Sequence, residues 1–110
     1  MSDVRFAAPL ETAFIEEGYD PAYFVAVTGG AAEQVAGHEL GRRLETGKRR
    51  GFGSVKVEVR IGGSRWKTSL FPRKASDGGG DGWFLPVKKP VRLAELLVEG
   101  DEVEVELTLL

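Results

Sequence analysis

Ser54-Val55-Lys56-Val57-Glu58-Val59-Arg60-Ile61-Gly62-Gly63-Ser64-Arg65-Trp66-Lys67-Thr68-Ser69-Leu70-Phe71 reads as two strands joined by a turn. From Val55 to Ile61 apolar and charged residues alternate strictly. The two-residue period puts Val55, Val57, Val59 and Ile61 on the inner face and Lys56, Glu58 and Arg60 on the outer one. Gly62-Gly63 predicts a two-residue hairpin, because glycine accepts the positive φ that primed turns need. If φ is positive at Gly63, a valine there costs on the order of 1–3 kcal/mol. The return strand runs from Ser64 to about Phe71, with Trp66, Thr68 and Leu70 on one face.

Moving outward, the chain reads as if written twice. Displaced by 60 positions, Arg5-Phe6 falls on Arg65-Trp66, Leu10 on Leu70, Tyr23-Phe24 on Trp83-Phe84, and Val27 on Val87. Each aromatic pair is followed by a helical stretch and then an alternating strand, Val55 to Val59 in one half and Val103 to Leu107 in the other. Those last strands are 48 positions apart rather than 60, so the first half carries about 12 more residues before its final strand. A strand–strand–helix–strand unit used twice predicts one closed, pseudo-two-fold β structure. The fold class expected is mainly β: a small closed barrel from the duplicated unit, capped by two short helices, as a single domain over residues 1–110.

The remaining elements follow from local signals. Residues 4–15 read as a first strand with Phe6, Ala8, Leu10 and Phe14 on one face, and Pro9 marks an edge or a bend. Glu17 to Pro21 is a turn, and residues 22–28 a second strand. After Gly29-Gly30 a helix runs from about Ala31 to Leu44. Gly37 and Gly41 each weaken it by roughly 1 kcal/mol relative to alanine, which predicts two short pieces. Residues 46–53 form a basic, glycine-punctuated loop, in which Phe52 anchors the next strand and Gly53 permits a bulge or close approach. Ser76 to Gly82 is a flexible loop, and Trp83 to Val87 a strand. Pro90 opens a second helix, Gly100 closes it, and residues 102–109 are the last strand.

At 110 residues there is room for one domain and one modest core. No apolar run approaches the length of a membrane span, and the first residues lack the basic start and apolar stretch of a signal peptide. The absence of cysteine excludes disulfides and thiolate chemistry and fits a reducing cytoplasm, the expected location. The net charge of −2 hides an asymmetry. Residues 1–41 sum to −6, residues 42–67 to +7, residues 68–92 to +3 and residues 93–110 to −6. The basic middle can attract a polyanion. Alternatively, acidic strands lie beside basic ones in the sheet, which is preferred because the duplication brings the last strand close to the middle ones.

Chemical motifs are sparse. His38 is the single histidine, on a glycine-interrupted helix, and reads as an ordinary surface or satisfied position. One histidine makes a zinc site remote. Asp77 and Asp81 flank three glycines without calcium-loop spacing. Gly41 to Arg49 fails as a phosphate loop, having five residues between its glycines and arginine where serine or threonine binds magnesium. Residues 45–55 echo the strand motif of RNA-recognition modules, but Ser54 and Val57 stand where stacking aromatics are needed and a hairpin follows where that module requires a helix. No catalytic residue, cofactor or metal ligand is expected, and an enzyme is not.

Arg49 to Val57, Ile61 to Pro72, Leu85 to Arg92 and Glu99 to Asp101 together resemble the bacterial domain-of-unknown-function 1905 family. The similarity covers nearly the whole chain and is strongest from residue 49 to 107. It implies a double-split β-barrel capped by helices, in the same broad fold as the AbrB and MazE DNA-binding domains. The family has no established activity, so it implies no catalytic residues. AbrB-type domains close their barrel from two chains; a chain holding both halves closes alone, which predicts a monomer or a weak homodimer.

The function expected is a small non-enzymatic binding domain for an anionic small ligand or a protein partner, with no membrane association. The candidate surface is where Arg49, Arg50, Trp66, Lys88 and Lys89 converge, offering charge-assisted hydrogen bonds and an aromatic wall. Against it, Trp66 alternates with core positions, and Lys88 and Lys89 can simply be solvated. The alternative is nucleic-acid binding by the basic 42–67 segment.

Overall fold

The computed structural model describes residues 3–13, 21–46, 54–73 and 82–110. They form β1 (Asp3–Ala13), β2 (Ala22–Val27), α1 (Gly29–Thr46), β3 (Val55–Ile61), β4 (Ser64–Arg73), β5 (Gly82–Pro86), α2 (Lys89–Ala94) and β6 (Glu102–Leu109). The strands close into an antiparallel barrel in the order β1-β2-β5-β4-β3-β6. The mainly β reading with two capping helices is therefore what the chain adopts.

Two long strands bend to serve both sides of the barrel. β1 pairs with β6 through Asp3–Pro9 and with β2 through Leu10–Ala13. β4 pairs with β3 through Ser64–Ile61 at the hairpin up to Leu70, and with β5 from Phe71 to Arg73. Pro9 stands at the switch point, where a strand can dispense with a ladder donor. The bend reading of Pro9 is right, and the edge reading has no place in a closed ring. The pairs Glu11↔Phe24, Thr12↔Tyr23 and Ala13↔Ala22, displaced by 60 positions, become Phe71↔Phe84, Pro72↔Trp83 and Arg73↔Gly82, all of which are pairs here.

The inner faces are filled by the alternating apolar positions. Val55, Val57, Val59 and Ile61 of β3 meet Val103, Val105, Leu107 and Leu109 of β6, together with Val4, Leu10, Val25, Val27, Leu70 and Leu85. No polar or charged residue is buried among the described residues. The core is mostly aliphatic, with Trp83 its one buried aromatic among the described residues.

The helices close opposite ends of the barrel. α1 buries Ala32 and Val35 in the core, and the His38 Nε2 lies 2.9 Å from the carbonyl oxygen of Leu110, just beyond the C-terminal end of β6. This helix is continuous from Gly29 to Thr46, not two pieces. Packing of one face and the Glu39–Arg43 pair, 3.8 Å apart one turn on, outweigh the propensity cost of the two glycines. α2 sits at the other end, where β6 begins. It stops at Ala94, earlier than expected, because Leu96 takes the left-handed conformation with φ 53°. Gly100, with φ 92°, serves the turn into β6 rather than closing the helix.

The β3–β4 hairpin carries a second correction. Positive φ falls on Gly62 (58°) and not on Gly63. Positive φ at the first central position alone is the type II′ arrangement. Glu95, just past α2, then latches the turn. Its carboxylate accepts from the Gly63 N–H at 3.3 Å and from the Ser64 hydroxyl at 2.7 Å. The loops expected at residues 46–53 and 76–82, with Phe52 and Gly53, fall almost wholly outside the described residues, as do Phe14 and most of the turn from Glu17.

Candidate anion-binding surface

Strand parity decides which side chains face outward, and register decides which of them meet. In β3, Lys56, Glu58 and Arg60 alternate with buried valines and so point away from the core. The two-residue turn at Gly62-Gly63 forces Ile61 opposite Ser64 and Arg60 opposite Arg65. β6 lies on the other side of β3, and Arg60 pairs there with Glu106. Glu106 in turn stands opposite Arg5 of β1. One row across four strands therefore reads Arg5, Glu106, Arg60, Arg65.

The acidic strand β6 is thus flanked by β1 and β3, as the preferred reading of the charge asymmetry anticipates. Arg5 Nε lies 3.3 Å from the Glu106 carboxylate. With the Arg5 side chain 75% exposed, this pair adds little stability but holds Glu106 to one side of the row. Arg60 and Arg65 are exposed, and among the described residues neither forms an ion pair. Like charges directly opposite on neighbouring strands repel. The row carries three guanidinium groups against one carboxylate, an excess of two positive charges in a short span.

Beside the row the outer face is hollowed. A cavity of about 520 Å³ is lined by Arg5, Phe6, Ala7, Arg60, Gly62, Glu104, Val105 and Glu106. Ala7 lacks a long side chain, and the space beside Gly62 is taken by the Glu95 carboxylate. A smaller cavity of about 320 Å³ adjoins it, sharing Gly62 and Glu104 and adding Glu95, Leu97 and Glu102. The larger hollow sets Arg5 and Arg60 against Glu104 and Glu106, Arg65 lies outside its lining, and the smaller hollow is acidic. Planar guanidinium groups suit bidentate recognition of phosphate or carboxylate oxygens, and Glu104 limits how far a negative charge can extend.

The residues expected to form the site fall differently. Arg49 and Arg50 lie outside the described residues. Trp66 pairs with Val59 and turns its half-buried ring to the core, so its wall faces inward. Lys88 and Lys89 are exposed at the start of α2. The arginines of the row escape the sequence reading because β1, β3 and β6 meet only through barrel closure. One signal was local: the hairpin at Gly62-Gly63 already dictates the Arg60–Arg65 pair.

Two other features lie away from the row. Phe84 stacks on Phe71 with centroids 5.4 Å apart and meets Phe24 edge-on at 6.1 Å, outside the barrel. Arg92 of α2 stands 3.6 Å above the Tyr23 ring, with its buried Nε lacking a hydrogen-bond partner.

Compared with known proteins, residues 6–107 match the model of the family described as Domain of unknown function (DUF1905). No curated protein matches the chain. No helix among the described residues is long and apolar enough to cross a membrane.

Proposed function

The chain belongs to the DUF1905 family, and from its own residues we propose that it is a non-enzymatic binding domain for a small anionic ligand, held by Arg5, Arg60 and Arg65. The observation that carries this reading is the mutually repelling Arg60–Arg65 pair, without an ion-pair partner among the described residues, of which Arg60 lines a hollow of about 520 Å³ and Arg65 stands on the neighbouring strand. A phosphate or carboxylate seated between the two guanidiniums replaces repulsion by two charge-assisted contacts. The absence of catalysis is part of the same proposal. His38, the single histidine, is engaged with the Leu110 carbonyl, and the guanidinium groups of the row offer hydrogen-bond donors and no acceptor.

Calorimetric titration of inorganic pyrophosphate into the protein tests the proposal. Saturable binding that weakens at least about tenfold in Arg60→Ala and again in Arg65→Ala is expected, each change equal to about 1.4 kcal/mol. Binding indifferent to both substitutions defeats the assignment.

A second reading, nucleic-acid binding, is favoured by one observation. Lys56, Arg60, Arg65 and Lys67, the basic residues on the described strands of the 42–67 block, are all exposed. Opposing it, Glu58 pairs with Lys67 and Glu106 with Arg60 in the sheet. Oligonucleotide affinity that falls steeply between low and physiological salt supports it. A cytoplasmic, bacterial setting and an origin of the barrel by duplication belong to the same proposal. The 60-residue register repeat of β1–β2 in β4–β5 supports the duplication.

A further inference from the structure

The α2 end of the barrel is inside out. Arg92, a cation, is half-buried over Tyr23, and Val91 and Leu97 pack against the core. Leu93, Leu96 and Val98 face outward with 64%, 86% and 63% of their surface exposed. Three large aliphatics within six positions form an apolar knob, where surface positions ordinarily carry polar residues. Leu96 also holds a left-handed backbone, uncommon for a residue other than glycine, asparagine or aspartate. Its side chain gains almost no contact within the chain.

Charge runs across this knob in one direction. Lys88 and Lys89 are exposed on its entry side, and Lys89 stands one turn before Leu93 on α2. Glu99 and Glu102 are exposed on its exit side. The order is basic, apolar, acidic. A two-fold axis through the apolar middle brings the lysines of one copy to the glutamates of the other and packs leucine on leucine. An isologous contact demands that self-complementarity. A bilayer fits poorly, since anionic headgroups meet Glu99 and Glu102 as well as the lysines.

We propose that the α2 knob is a homodimer interface occupied by a second copy of this chain. The patch is smaller than the roughly 800 Å² per partner of a standard interface, so the dimer is weak and concentration-dependent. The arginine row is not part of it, and the two proposals stand or fall separately.

Sedimentation equilibrium of the full chain from about 10 μM to about 1 mM tests it, with an expected dissociation constant on the order of 10⁻⁴ M. Leu96→Asp and Leu93→Asp each weaken association at least about tenfold while leaving the far-ultraviolet spectrum unchanged. Leu96→Gly, which relaxes the backbone, raises the melting temperature of the dilute monomer yet still weakens the dimer. Lys89→Glu and Glu102→Lys proteins associate with each other better than either does with itself. A monomer throughout this range overturns the proposal, and so does a dimer that Leu96→Asp leaves intact.

Discussion

Replacing Gly62 by alanine strikes the hairpin latch at two points. Gly62 has φ 58°, and a left-handed L-residue costs roughly 1–2 kcal/mol more than glycine. The new methyl also runs into the Glu95 carboxylate, with its Cδ only 2.9 Å away. That side chain is flexible and can swing aside, but it then gives up its bonds to the Gly63 N–H and the Ser64 hydroxyl. These are worth roughly 0.5–1.5 kcal/mol each, at the lower end for the exposed Gly63 contact. The expected loss is about 2–4 kcal/mol. For a domain of this size each kcal/mol moves the melting temperature by roughly 4–8 °C. Calorimetric melting of Gly62→Ala, Glu95→Ala and the double variant separates the two contributions. With Glu95 already removed, Gly62→Ala retains only its backbone cost, so the cycle is non-additive by about 1–2 kcal/mol. Gly63→Ala serves as control. It lacks positive φ and has open space around its missing Cβ, so it melts within about 1 kcal/mol of the parent. A Gly62→Ala melt equal to the parent's, or an additive cycle, refutes the latch.

Other substitutions probe separate elements. Arg65→Glu turns the repulsion opposite Arg60 into attraction and stabilises by about 0.2–1 kcal/mol at low salt, an effect that fades as added salt screens it; destabilisation in urea unfolding argues against the register. Gly37→Ala and Gly41→Ala each stabilise by about 0.5–1 kcal/mol, since both lie in α1 with open space where a Cβ would go; a lowered melting temperature shows that something packs against that face. Arg92→Met exchanges a cation–π contact worth about 0.5–2 kcal/mol for relief of a buried nitrogen that costs about 1–3 kcal/mol unpartnered. The two nearly cancel, and a loss above about 2 kcal/mol on denaturation contradicts this account of Arg92.

How much of this was legible in the sequence differs from element to element. The alternation Val55 to Ile61 and the turn at Gly62-Gly63 declare a hairpin locally, because a period of two and a glycine pair need no tertiary information. The 60-residue repeat extended that local reading to a ring of six strands. The helices were less legible. Gly37 and Gly41 argued against a continuous α1, and the burial of Ala32 and Val35, the His38–Leu110 contact and the Glu39–Arg43 pair override them. The end of α2 hung on Leu96, whose backbone conformation nothing in its residue type announces. For the site, parity already assigned Trp66 to the core face, where its partly buried ring packs. Arg5 reaches Arg60 only across β6, a neighbourhood created by closure of the barrel. Arg49 and Arg50 lie outside the described residues.

The arginine row is the centre of the functional account, and amide chemical-shift mapping tests it most directly. Nitrogen-15-labelled protein is titrated with inorganic pyrophosphate, beside the Arg60→Ala/Arg65→Ala double variant. The account predicts saturable shifts at the backbone amides of Arg5, Arg60, Arg65, Glu104 and Glu106, absent from the double variant. Saturable shifts confined to Lys88 and Lys89, or no shifts at all, contradict it.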